Sequence, residues 1–214
     1  MGAVNLLGHV RVALHGSSDD LHVLGSILPD LESLLGERLE AARTQPAVAA
    51  GIAVHRATDA AFHADPRFTA GSIGLTRALL ARGVGRGPAR AVGHAGWELL
   101  LDGTLVDDAE VTDAFAAAIG ALGELAAAEP AGTDRLRWFA ARQPNQPIWA
   151  AYADPALVAD RLHRQLSTRP RLSFPADQRA TIADELAAAA GAIHEQAPAL
   201  VADVTRLVAS AQRL

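Results

Sequence analysis

Apolar side chains recur at helical spacing along almost the whole chain, and the runs of Val, Ile and Thr that build strands are missing. That pattern restricts the fold to packed helices, so the expected class is all-α. Leu6, Leu7, Val10 and Leu14 mark a first helix, and Gly16 to Asp19 supplies a turn and an N-cap for a second, expected to end near Pro29-Asp30. Pro46 fits the first turn of a third helix running to about His63 and closed by Asp65-Pro66. A fourth is expected from Arg67 to Arg82, and a fifth from near Pro88 to Asp102-Gly103, after a turn at GVGRGP that lacks the spacing and the lysine of a phosphate loop. An alanine-rich helix over Asp107 to Glu129 follows, then shorter ones between proline-marked loops, with two more after Pro175 and Pro198. With 214 residues, no internal repeat and no low-complexity linker, residues 1–214 are expected to form a single helical domain.

Composition removes several function classes. The chain has no cysteine, so disulfides, thiolate metal sites and a cysteine nucleophile are excluded. Its net charge is -5 and it has no lysine, a poor balance for non-specific phosphate-backbone binding, so no nucleic-acid partner is expected. The opening MGAVNLLGHVRVALHG carries His9 and Arg11 inside its apolar run and reads as no export signal. No stretch approaches about 18 uninterrupted apolar residues, so no membrane association is expected and the chain is placed in the cytoplasm. Basic residues gather at Arg161, Arg164, Arg169, Arg171 and Arg179, either as a solvated helix face or as a docking patch for an acidic partner.

The informative feature is histidine and carboxylate at helical spacing in two places, His55 with Asp59 and His94 with Glu98. Residues four apart project from one helix face, so each pair can aim an imidazole and a carboxylate at one point. Both pairs sit in apolar stretches, GIAVHRATDAAF and ARAVGHAGWELLL, where polar groups facing the core must be paired or metal-bound. The plain alternative is two hydrogen-bonded pairs on a partly exposed face. His9 and Asp30 join as weaker candidates, Asp30 because a helix terminus can turn a carboxylate inward. His63 extends the third-helix series to a further rung or serves the negative end of that helix, and the second role is preferred. His15, His22, His163 and His194 have no suitably placed acid and are expected at the surface. No serine sits in a nucleophile-elbow context. A mixed His/carboxylate set suits Mn or Fe, and less specifically Zn or Mg, with metal-activated water as the nucleophile.

The stretches NLLGHVRVAL, LGSILPDLESLLG, VAAGIAVHRATDAAFHADPRF, ARAVGHAGWELLL and LHRQLSTRPRL resemble, in order and spacing, the bacterial acyl-carrier-protein phosphodiesterase family. The most specific piece is His55-Arg56 followed by Asp59. The resemblance implies an all-helical, HD-like bundle that uses a divalent metal, typically Mn, to hydrolyse the phosphodiester joining phosphopantetheine to a carrier-protein serine. It puts His9, Asp30, His55 and Asp59 on polar positions of the family's site, with His94 and Glu98 where the family has two aspartates four apart. This sequence departs from the family at Leu99, where a histidine is usual, at His63-Ala64-Asp65-Pro66, where acid and imidazole are exchanged, and at Gly25-Ser26, which replaces Gly-Asn. His94 in place of a carboxylate shifts preference toward Fe or Zn.

The expected activity is therefore metal-dependent hydrolysis of a phosphoric ester. Metal ligands are expected from His9, Asp30, His55, Asp59, His94 and Glu98, with Asp59 or Glu98 orienting or deprotonating water. Arg56 either clamps phosphate oxygens or pairs structurally with an acid. A phosphopantetheinylated carrier protein would dock near Arg161, Arg164, Arg169 and Arg171. Two alternatives stand beside this: an HD-like di-iron oxygenase, and a non-catalytic helical protein that has lost the activity.

Overall fold

A computed structural model describes residues 5–129 and 131–211 of the chain. Among them are ten α-helices and no strand, so the protein is an all-α, single-domain bundle. The helices are α1 (Leu6–Leu14), α2 (Asp20–Leu35), α3 (Glu40–Arg43), α4 (Pro46–Ala64), α5 (Pro66–Ala81), α6 (Arg86–Gly103), α7 (Ala109–Ala128), α8 (Asp134–Arg142), α9 (Pro155–Leu166) and α10 (Arg179–Ala211).

Local chemistry accounts for most boundaries. The Asp19 carboxylate accepts hydrogen bonds from the Leu21 and His22 amides and starts α2, while Gly36, at φ 69°, ends it in the left-handed conformation that glycine tolerates. Asp65, Asp108 and Asp154 cap α5, α7 and α9 in the same way. Two expected stops do not occur. α2 continues through Pro29 to Leu35, and α10 continues through Pro198 to Ala211 as one helix instead of two. An internal proline removes one backbone donor and crowds the preceding turn, and burial of the flanking residues outweighs that cost here.

The interior has two apolar clusters. One is built mainly from α5, α6, α9 and α10, with Trp97, Leu101, Tyr152, Leu162 and Leu186 near its centre. The other is built from α1, α2, α7 and α8, around Leu6, Leu24, Leu28, Phe115 and Leu136. α4 supplies Val54 and Phe62 to the first and Val48 and Ile52 to the second, and α1 is divided likewise, so the two clusters form one folding unit. α7 is long and apolar enough to cross a membrane by length and composition, yet Glu110, Asp113 and Glu124 interrupt it, and Val111, Phe115 and Leu122 are buried in the second cluster.

α2 and α4 touch backbone to backbone. A Cβ on Gly25 would lie 2.2 Å from the Val48 carbonyl oxygen, and one on Gly51 would lie 2.1 Å from that of His22. Both positions therefore require glycine. α1 has no cap of its own, because the Asn5 side chain makes no capping bond. The buried Asp102 carboxylate of α6 instead accepts from the Leu7 and Gly8 amides at 3.0 and 2.8 Å, which fastens α1 across the seam between the clusters.

Candidate metal centre

The chemistry-bearing residues line that seam. His55, Asp59 and His63 stand four apart on α4 and form one ladder. His55 is 5% exposed and its Nδ1–H donates to the Ser26 carbonyl at 2.9 Å, a contact made possible by the glycine-closed approach of α2. Since that oxygen only accepts, the proton sits on Nδ1 and the Nε2 lone pair faces Asp59 Oδ2, 3.8 Å away. His9 of α1 stacks on His55 with ring centroids 4.3 Å apart, its Nε2 3.4 Å from Asp59 Oδ1 and 3.8 Å from Asp30 Oδ2. One donor atom each from His9, His55 and Asp59 lies within 4.8 Å of the others. Two donors held at about 2.1 Å from one tetrahedral ion are themselves about 3.4 Å apart, so this spacing suits a shared cation.

A second group of the same composition follows along α4. His63 Nε2 and His94 Nε2 lie 3.1 and 3.2 Å from the same Glu98 oxygen, Oε1, and their rings stack at 5.1 Å. Phe62 and Phe68 wall this triad, and Trp97 packs against both of them. The other Glu98 oxygen, Oε2, is buried without a hydrogen-bond partner. An orphaned carboxylate oxygen beside two imidazoles fits a cation. Beyond His94 opens a cleft of about 790 Å³ whose lining includes Arg77, Arg86 and Arg90 and no carboxylate.

Burial and mutual charge shift these groups in opposite directions. Burial pushes the Asp30 carboxyl up to about 7, only partly offset by His9. Burial also drives His55 down to about 4, assisted by the charge of His9, so its imidazole is neutral and available as a ligand. For His9, burial is outweighed by the Asp59 hydrogen bond and the charges of Asp30 and Asp59, and its pKa is raised. Asp59 is held below the usual carboxylate range, since its bond to His9 and the neighbouring imidazoles outweigh burial. The hydrogen bond to Glu98 raises His63.

Five of the six expected ligands fall into two triads, His9, His55 and Asp59 in the first, His94 and Glu98 with His63 in the second. Asp30 stands beside His9, at mid-helix and not at a helix end, so the expected terminus was not what turned it inward. His63 does lie in the last turn of α4, but its side chain also reaches Glu98, and the i+8 continuation from His55 was its sequence signal. His22, expected at the surface, is 9% exposed because α2 presses it toward α4. Leu99, one position past Glu98, is 1% exposed and turns into the apolar core. Arg56 is exposed and pairs with no acid among the described residues. Arg161, Arg164 and Arg169 line a concave cleft, whereas Arg171 is exposed outside it.

No protein-family model matches this chain, and no curated protein or solved structure matches it either.

Proposed function

We propose that the protein is a metal-dependent hydrolase of phosphoric esters of the kind the acyl-carrier-protein phosphodiesterases represent. The observation that carries this reading is the pair of two-histidine, one-carboxylate triads strung along α4, with the cationic cleft of Arg77, Arg86 and Arg90 opening at His94. His9, His55 and Asp59 would hold one divalent ion, aided by Asp30, and His63, His94 and Glu98 a second. Such an ion supplies Lewis acidity toward a phosphoryl oxygen and acidifies water, which is the chemistry phosphoester hydrolysis needs.

The chain's own groups do the rest. Asp59 is half exposed and stays ionised, so it can accept a hydrogen bond from the attacking water and fix its direction. Glu98, almost fully buried, orients two imidazoles at once. Arg56 and the three cleft arginines carry no competing carboxylate and are free to take phosphate oxygens bidentately. A phosphopantetheinylated carrier protein is the partner this reading favours.

The test is metal analysis of the purified protein together with turnover of a chromogenic phosphodiester. Stoichiometric Mn, Fe or Zn and an activity lost in His55→Ala are the expected results. A metal-free protein whose activity is unchanged in His55→Ala would end the proposal.

One observation favours a second reading. Each triad has the two-histidine, one-carboxylate composition used by oxygen-activating non-haem iron. Iron in both triads, an absorption band that changes on exposure to oxygen, and no phosphodiester turnover would move the assignment to that chemistry.

A further inference from the structure

Away from the metal centre, a cleft of about 490 Å³ opens between the C-terminal turn of α2, the end of α8 and the outer face of α9. Arg142, Arg161, Arg164 and Arg169 line it, and no Asp or Glu does, in a chain that has 24 acidic residues against 19 basic ones. None of these four arginines forms an ion pair among the described residues, although eight other arginines are engaged with acids. Arg161 is the decisive member. Its guanidinium lies over the Tyr152 ring at 5.3 Å, and its Nε and Nη2 are buried with no hydrogen-bond partner. Enclosed guanidinium donors without an acceptor are costly, and a concave wall of such donors is the geometry that phosphate oxygens satisfy.

The rest of the cleft specifies what the anion is attached to. Trp138 stands at the rim, 60% exposed, with the Arg142 guanidinium stacked on its ring at 4.9 Å. Phe139 and Ile148 add apolar wall, and Gln143, Gln146, Gln165 and Thr168 add neutral polar groups. The volume falls in the range of small-molecule sites.

We infer that this cleft binds a small organic phosphate, its phosphate held by Arg161, Arg164 and Arg169 and its flat or apolar body lying against Phe139 and Trp138. This site requires no metal and is independent of the hydrolase reading. Adenosine monophosphate serves as the probe, with adenosine and inorganic phosphate as the two halves of its chemistry, followed by Trp fluorescence and calorimetry on the full chain in the presence of chelator. The nucleotide should bind with a dissociation constant at or below about 1 mM, at least about tenfold tighter than either half. Arg161→Gln and the exposed Arg164→Gln should each weaken it by about tenfold or more, with circular dichroism confirming the fold. Arg164→Gln keeps the test decisive if Arg161→Gln fails to fold. Binding no tighter than that of adenosine, binding untouched by the arginine substitutions, or binding that disappears with the chelator would each overturn the inference.

Discussion

Replacing Gly51 by alanine should damage both the fold and the candidate metal centre, although alanine is the better helix former. The added methyl would sit 2.1 Å from the His22 carbonyl oxygen and close to the Gly25 Cα, and both obstacles are backbone atoms with no rotamer to escape into. Restoring van der Waals contact requires α2 and α4 to part by about 1 Å. That displacement stretches the 2.9 Å bond between His55 Nδ1 and the Ser26 carbonyl beyond hydrogen-bonding range, so the imidazole loses the partner that fixes its tautomer and direction. Overpacking costs about 1–3 kcal/mol and the lost bond about 1 kcal/mol, against about 1 kcal/mol gained in helix propensity. The net expectation is a loss of about 1–3 kcal/mol in urea unfolding, accompanied by at least tenfold weaker metal binding in calorimetry. A Gly51→Ala protein as stable as the parent, with unchanged metal affinity, would refute the view that helix contact positions His55.

Gly74→Ala and Gly191→Ala are the matching controls: both are exposed helix-interior positions with nothing within 4 Å of a new Cβ, and each should stabilise by about 0.5–1 kcal/mol in the same unfolding assay. Filling the triad of His9, His55 and Asp59 with Mn, Fe or Zn at about 100 times its dissociation constant should stabilise the protein by about 2.7 kcal/mol, a rise in Tm of about 5–10 °C, and in scanning fluorimetry Asp59→Asn should remove that increment while leaving the one contributed by the second triad. Burial raises Asp102 from 3.8 to about 7, so folding favours its protonated form; its contribution to stability is complete below about pH 4 and declines as pH climbs through about 7. Asp102→Asn should flatten that decline in chemical denaturation between about pH 5 and pH 8, and an unchanged slope would show that another group is responsible. Glu98→Gln should lower the bound-metal ratio from two to one by mass spectrometry, because it dismantles only the triad of His63 and His94.

The helical class and the two His/carboxylate pairs were legible because both depend on a period that sequence displays directly, four residues per face. The ladders are longer than the pairs: His63 extends the one on α4, and Asp102 the one on α6. The rung at His63 was visible in spacing, but its partner Glu98 lies 35 residues away, a separation on which periodicity carries no information. Asp102 was hidden more deeply, since beside Gly103 it resembles an ordinary helix stop, whereas its carboxylate caps α1 more than ninety residues earlier. Pro29 and Pro198 misled for a related reason. Proline predicts a local break, and packing on both sides of each residue carried the helix through.

What sets this seam apart from an ordinary buried polar cluster is its charge balance. Asp30, Asp59, Glu98 and Asp102 converge there, and among the described residues no arginine pairs with any of them. Positive charge can reach these carboxylates as protons on His9, Asp30, His63 and Asp102 or as a bound cation. Protons serve the first case at low pH, since burial holds Asp30 at about 7, but they leave Glu98 Oε2 without a partner and His55 neutral with a lone pair aimed at an acid. A divalent ion in each triad would satisfy the orphaned oxygen, use that lone pair and neutralise the acids together. Metal affinity should accordingly rise with pH as ligand protons are displaced, a dependence that a cluster sustained by shared protons alone would not produce.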